Sequence, residues 1–128
     1  MSLPPALSNL ILLAARLMLA LMFVLSGYSK IGGYAGTQKY MEAFGVPGAL
    51  LPLVIIVELI GGAMVMVGFQ TRLAALALAG FTLAAALLFH FKLADQMQFL
   101  LFMKNISVTG GFLALAVAGP GAFSVDRR

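Results

Sequence analysis

The sequence predicts an all-α integral membrane protein, a bundle of four transmembrane helices, and three observations carry that prediction. Hydrophobic residues make up 62% of the 128-residue chain and charged residues 9%, against about half apolar and about a quarter charged in a soluble domain. The mean hydropathy is +1.08, more apolar than any soluble core could hide. After turns are subtracted, the chain has room for about four runs of the roughly 20 apolar residues that one bilayer crossing needs. A single domain over residues 1–128 follows, with spans at about 8–29, 50–68, 72–90 and 98–118.

Pro4-Pro5 breaks the start, and the run from Ser8 to Tyr28 reads as the first span. No Lys or Arg precedes its apolar stretch and Arg16 interrupts it, so it is expected to be a retained span and not a signal peptide. Lys30 follows, placed to snorkel to the interface, before the flexible Gly32-Gly33 pair. Residues 31–49 mix Gly, Tyr, Lys, Gln and Glu42 and form the one substantial loop. Within it Thr37 to Phe44 suits a short interfacial helix, with Tyr34 and Tyr40 at headgroup level.

Pro52 fits the first turn of the second span, where its missing amide hydrogen does no harm, and that span runs to Gly68. Only Phe69 to Arg72 separates it from the third, so the two are antiparallel neighbours, with Thr71 as the expected N-cap. The third span is alanine-rich, and the pairs Ala75/Ala79 and Gly80/Ala84, four apart, allow close helix contact. A polar turn holding His90, Lys92, Asp95 and Gln96 leads to the fourth span, Gln98 to Ala118, which Gly119-Pro120-Gly121 stops.

The net charge is +4 and the isoelectric point about 9.9. The Lys and Arg residues are scattered between apolar runs, which points to anionic lipid headgroups and not to nucleic acid. Counting loop charges gives Arg72, Arg127 and Arg128 on the side of the termini against Lys30, Lys39 and Lys92 on the other. The positive-inside rule is then tied, and counting Arg16 tips it toward both termini inside. The chain has no cysteine, which excludes a disulfide, a thiol nucleophile and an iron–sulfur cluster. Any redox chemistry must belong to a bound molecule or a partner subunit.

Ionisable groups within apolar spans cost about 2.5–3.5 kcal/mol each at mid-helix and normally face a protein interior or a wet cavity. Here they are Arg16, Glu58 and Lys104, with Asn105 adjoining. At a rise of about 1.5 Å per residue, Glu58 lies about 9–14 Å from the rim that carries the first and third loops, Asn105 about 10–12 Å and Arg16 about 20 Å. Lys30 and His90 fall near that rim, and a long Arg16 side chain reaching toward it would meet Glu58.

Arg16, Phe23, Gly27 and Lys30 share one helical face, Glu58, Gly61 and Gly62 another, and Asn105 and Thr109 a third. The glycines would admit another backbone or a flat ligand. Arg16, Lys30, Glu58, His90, Lys104, Asn105 and Thr109 are therefore the candidate ligand-binding residues, lining a cationic pocket for an electron-rich head with an apolar tail, such as a quinone or an acidic lipid. The competing reading is that Arg16 and Glu58 form an interhelical ion pair that only sets packing. One histidine is too few ligands for a metal site, and the methionines and phenylalanines read as lipid-facing or gap-filling.

Several ordered pieces resemble the bacterial DoxX family: Arg16, Ser26-Gly27-Tyr28-Ser29-Lys30, Gly45-Val46-Pro47, Glu58-Leu59-Ile60-Gly61-Gly62, Gly68, Thr71-Arg72 and His90. Phe102-Met103-Lys104-Asn105, Gly110-Gly111, Gly119-Pro120-Gly121 and Ser124-Val125-Asp126 continue the pattern to the end of the chain. The resemblance implies a multi-pass protein of the bacterial inner membrane. It also implies kinship with a membrane subunit associated with thiosulfate:quinone oxidoreductase and with proteins linked to thiol-oxidative stress.

The expected function is an accessory, redox-linked membrane subunit rather than a stand-alone enzyme, with no covalent cofactor, a quinone as the candidate bound one, and an oxidoreductase subunit or a second copy as the candidate partner. In that picture Arg16 steadies charge on the ligand, Glu58 orients Arg16 and relays a proton, and Asn105 and Thr109 hydrogen-bond a carbonyl, with His90 exchanging protons at the rim. The alternatives are a small transporter or lipid-handling protein, or a structural partner of another membrane enzyme.

Overall fold

A computed structural model describes residues 3–127. Five helices follow in order: α1 (Pro5–Gly32), α2 (Tyr34–Ala43), α3 (Leu51–Val67), α4 (Thr71–Phe89) and α5 (Gln96–Ala118), with a 3-10 turn at Gly48–Leu50 leading into α3. All but α2 are long and apolar enough to cross a membrane, the 3-10 turn counted with α3. Arg128, used in the charge count above, lies outside the described residues.

The first helix is longer at both ends than its apolar run. Pro5 sits in its first turn, where a proline ring is already set for helix and lacks only an amide that would have no partner. At the other end the helix continues through Lys30 to Gly32, and α2 starts almost at once at Tyr34. The short interfacial helix thus begins before Thr37 and ends one residue before Phe44.

Spans alternate in direction, so the start of α1, the end of α3, the start of α4 and the end of α5 share one end of the bundle, with α2 at the other. The helices form a ring in which α1 runs along α3, α3 against α4 and α4 along α5, while α1 and α5 meet only sparsely. Lipid is as apolar as leucine, so membrane helices associate by close packing, and the glycines of α1 and α3 provide it. A Cβ on Gly27 would lie 3.0 Å from the Leu59 backbone nitrogen, and one on Gly62 would lie 3.2 Å from that of Val24. These glycines admit a neighbouring backbone, not a flat ligand. In α4, Ala75 and Ala79 are buried in the core with Leu78, whereas Gly80 faces open space. Phe23 and Phe112 meet edge to face at the centre, 5.4 Å apart.

The end of the bundle away from α2 is sewn shut by the C-terminal tail. Gly68, at φ 74°, ends α3 with paired bonds from its own amide to Val65 O and from Phe69 N to Met64 O, a Schellman turn. The tail folds back along this turn, Val125 N donating to Val67 O (3.0 Å) and Asp126 N to Gly68 O (2.8 Å). Thr71 is not the N-cap of α4. Gln70 holds that position in the left-handed region, and the carboxylate of Asp126 accepts from Gln70 N (2.9 Å), Thr71 N (2.8 Å) and Thr71 Oγ1 (2.8 Å). An anion at a helix N-terminus satisfies its orphan amides and its dipole together. Arg72 performs the converse service for α5, donating to Ala116 O at 3.1 Å and to Val117 O.

Candidate functional site

Arg16 belongs to this clasp. Its buried guanidinium donates to Val65 O (3.2 Å), Met66 O (2.9 Å) and Phe123 O. It therefore satisfies carbonyls at the end of α3 and ties the tail to them. The expected meeting with Glu58 does not occur, for a reason built into every helix: side chains lean toward the N-terminus of their own helix. The N-terminus of α1 lies at the clasp, so Arg16 points away from Glu58.

The same lean brings Lys30 inward from the last turn of α1 instead of outward to the interface. Its ammonium donates to Ser26 Oγ one turn earlier (2.6 Å) and stands 2.7 Å from Glu58 Oε1. That second contact falls outside the angles of a directed hydrogen bond, so Oε1 is left without one and the two groups are held as a charge pair. The side chain of Glu58 is 6% exposed and that of Lys30 26%. An ionised carboxylate buried this deeply needs a cation beside it.

This pair sits in a cavity of about 400 Å³ in the half of the bundle nearer α2. Its wall is mostly apolar, with Phe23, Val54, Val57, Phe81 and Leu88 among the lining residues. Of the candidate residues, Lys30, Glu58, His90, Lys104 and Asn105 line it, whereas Arg16 and Thr109 do not. The hydroxyl of Thr109 donates instead to Asn105 O, one turn back in its own helix (2.7 Å). Asn105 Nδ2 reaches Thr82 O across the α4–α5 contact at a long 3.4 Å.

The sequence reading missed Ser26, Thr37, Tyr40 and Thr82 as lining residues. Thr82 had a signal, since it is the one polar side chain between Arg72 and His90. Tyr40 had none, because its place depends on α2 folding over the cavity. There Tyr40 stacks on Phe89 and Phe44 packs against both at a tilt or edge on, with centroids 4.9 to 5.6 Å apart, and the Lys92 ammonium lies 5.9 Å from the Phe44 ring. This aromatic group joins α2 to the end of α4 at the rim.

His90 follows α4 at the same rim, its Nδ1 facing Gln98 Oε1 at 2.8 Å. With the amide oxygen as acceptor, Nδ1 carries the hydrogen and Nε2 is the acceptor of the neutral ring. Lys104 reaches from α5 toward α1, its ammonium 3.9 Å from Met22 Sδ. Among the described residues it pairs with no carboxylate. Lys30 and Glu58 cancel, so the cavity carries the uncompensated charge of Lys104. Among the described residues no three acidic or histidine side chains gather as metal ligands would. The arrangement suits an organic molecule with an anionic or carbonyl-bearing head.

The comparisons with known proteins agree with the architecture. The DoxX family pattern matches residues 11–91, from the first span to the rim beyond His90. Inner membrane protein YqjF of Escherichia coli (strain K12) is 55% identical over 115 residues, 90% of this chain and 88% of that protein. Inner membrane protein YphA of the same organism is 36% identical over 92% and 89% of the two chains. A Bacillus subtilis (strain 168) protein named "Putative oxidoreductase CatD" is 32% identical over 80% and 82%. No solved structure matches. With four spans and inner-membrane relatives along nearly its whole length, this multi-pass protein of the bacterial inner membrane belongs to the DoxX family.

Proposed function

We propose that this protein is an accessory membrane subunit of a redox system and that its polar cavity holds a quinone-like or acidic lipid-like molecule. The observation that carries this reading is the cavity of about 400 Å³ whose mostly apolar wall carries the Lys30–Glu58 ion pair, with the carboxylate buried, and at its exposed edge the uncompensated Lys104. A ligand site has that character: a mostly apolar lining with a few polar groups that fix orientation. Support for a redox setting comes from the name of the Bacillus subtilis relative.

In this reading Lys104 attracts the electron-rich head, and the amide of Asn105, held only by a long bond to Thr82 O, turns to a head carbonyl. Lys30 holds the Glu58 carboxylate in place beside the head, where it accepts a proton that the head gives up. His90 exchanges that proton with water at the rim. Arg16 acts at a distance, as part of the fold that keeps the cavity in shape.

The test is mass spectrometry of small molecules that co-purify in mild detergent, comparing wild type with Lys104→Met and Glu58→Gln variants shown to be folded. Retention of a quinone or a specific lipid by wild type, and its loss from both variants, is the expected result. Retention of nothing specific, or retention indifferent to both residues, overturns the reading.

A further inference from the structure

A second space adjoins the polar cavity. It is a groove of about 570 Å³ along the loose seam between α1 and α5, lined by Leu12, Ala15, Met18, Val108, Gly111 and Ala118 among others. Among the described residues no polar side chain lines it. Met22 lines both spaces, and the Lys104 ammonium stands 3.9 Å from its sulfur. Met22, at the boundary between them, and Lys104 beside it are both long, unbranched side chains that rotate easily.

We infer that the two spaces form one site for a single-chain amphiphile, whose acidic or electron-rich head lies in the polar cavity and whose hydrocarbon tail lies in the groove. This rests on the reading of the cavity given above and adds the tail site and the route of entry. From Leu12 to Met22 the groove rises about 15 Å, which is about half of a 30 Å hydrocarbon core. The groove therefore suits a tail that spans one leaflet. Its small residues keep it narrow: a Cβ on Gly111 would already come within 3.0 Å of Leu19 Cδ2. Because α1 and α5 meet sparsely, the groove opens sideways, and a ligand enters from the bilayer without leaving apolar surroundings.

The energetics give the inference a sharp consequence. A tail that moves from lipid into this groove exchanges one apolar environment for another and gains little. Selective occupancy must come from the head, and the charge placed to attract it is Lys104. Tail binding in the groove must then depend on a lysine that does not line it.

The experiment uses the full chain in nanodiscs containing a small fraction of palmitate with a photoreactive diazirine near its chain end. Crosslinks are mapped by peptide mass spectrometry. The expected result is labelling concentrated between Leu12 and Met18 and between Ala114 and Ala118, several-fold above the lipid-facing Leu73 and Leu76 of α4. Lys104→Met reduces it about tenfold, the size of one charge-assisted contact. Gly111→Leu removes it, and Ala114→Phe, at an exposed position lining the groove, does the same if the first variant does not fold.

Competition names the head: unlabelled palmitate displaces the label if the site prefers a carboxylate, and a decyl-tailed benzoquinone does so if it prefers a quinone. Even labelling around all lipid faces shows ordinary boundary lipid and overturns the inference. Groove labelling that ignores Lys104→Met also overturns it, by separating groove from cavity. Neither outcome alters retention of a cavity ligand in the co-purification test, so the two readings fail separately.

Discussion

Glu58 and Lys30 share an ion pair but not an environment, since the carboxylate is the more deeply buried partner. Removing the lysine strands a charge that cannot reach water, whereas removing the carboxylate leaves an ammonium on a flexible stem near the rim. Lys30→Gln is therefore expected to destabilise more than Glu58→Gln, by about 1–2 kcal/mol, measured by denaturant unfolding in mixed micelles. Equal losses would show that the pair is more solvated than its burial indicates. Close packing makes a second residue-scale prediction. Gly62→Ala pushes a methyl to 2.9 Å from Val24 Cγ2 and 3.3 Å from Ala20 O, an overpacking that lowers stability by about 1–3 kcal/mol. Gly110→Ala, with nothing within 4 Å, leaves stability unchanged or slightly raised.

At the scale of elements, the clasp joins residues more than fifty positions apart into the caps of two helices. Asp126→Ala removes the acceptor of three bonds at the start of α4 and is expected to lower stability by about 1–2 kcal/mol, with Asp126→Asn intermediate. A thermal-aggregation midpoint that does not move would show that the tail contributes no cap. Helices were legible in the sequence wherever an apolar run was long, and the signals that misled were local ones. Pro5 reads as a breaker only until it is placed in a first turn, and Lys30 reads as loop because it follows Tyr28 and Ser29 at the end of the apolar run. Thr71 looks like a cap because Asp126 is 55 positions away and invisible to any local rule. Arg16 was legible as an anomaly, but its direction required knowing which end of α1 faces which end of α3, together with the lean of helical side chains. The lining residues Lys30, Glu58, His90, Lys104 and Asn105 were legible because polar groups in apolar spans stand out. Tyr40 and Met22 were not, because apolar and interfacial residues look alike until the helices are arranged.

For the whole molecule, an even number of spans places both termini on one side of the membrane. The turn of Arg16 toward the clasp also delivers its charge to that side, breaking the tie between Arg72, Arg127 and Arg128 and the lysines opposite. Both termini inside is the expected topology. The absence of native cysteine makes the check clean. A Gly36→Cys variant is expected to react with a membrane-impermeant thiol reagent added outside the inner membrane, while Gln70→Cys reacts only after permeabilisation. The reverse pattern would invert the molecule and turn the His90 rim toward the cytoplasm. The most direct measurement of the cavity as a binding site is ligand-induced stabilisation of purified protein titrated with a decyl-tailed benzoquinone or with palmitate. At a hundredfold excess over Kd, binding to the folded state adds about 2.7 kcal/mol. One of the two ligands is expected to raise the stability of wild type and of Asp126→Ala, whose clasp is weakened but whose cavity is intact, and at the same concentration to raise that of Lys104→Met by only about 1.4 kcal/mol, the effect of a tenfold weaker Kd. No stabilisation by either, or equal stabilisation of Lys104→Met, would contradict the cavity as the functional site.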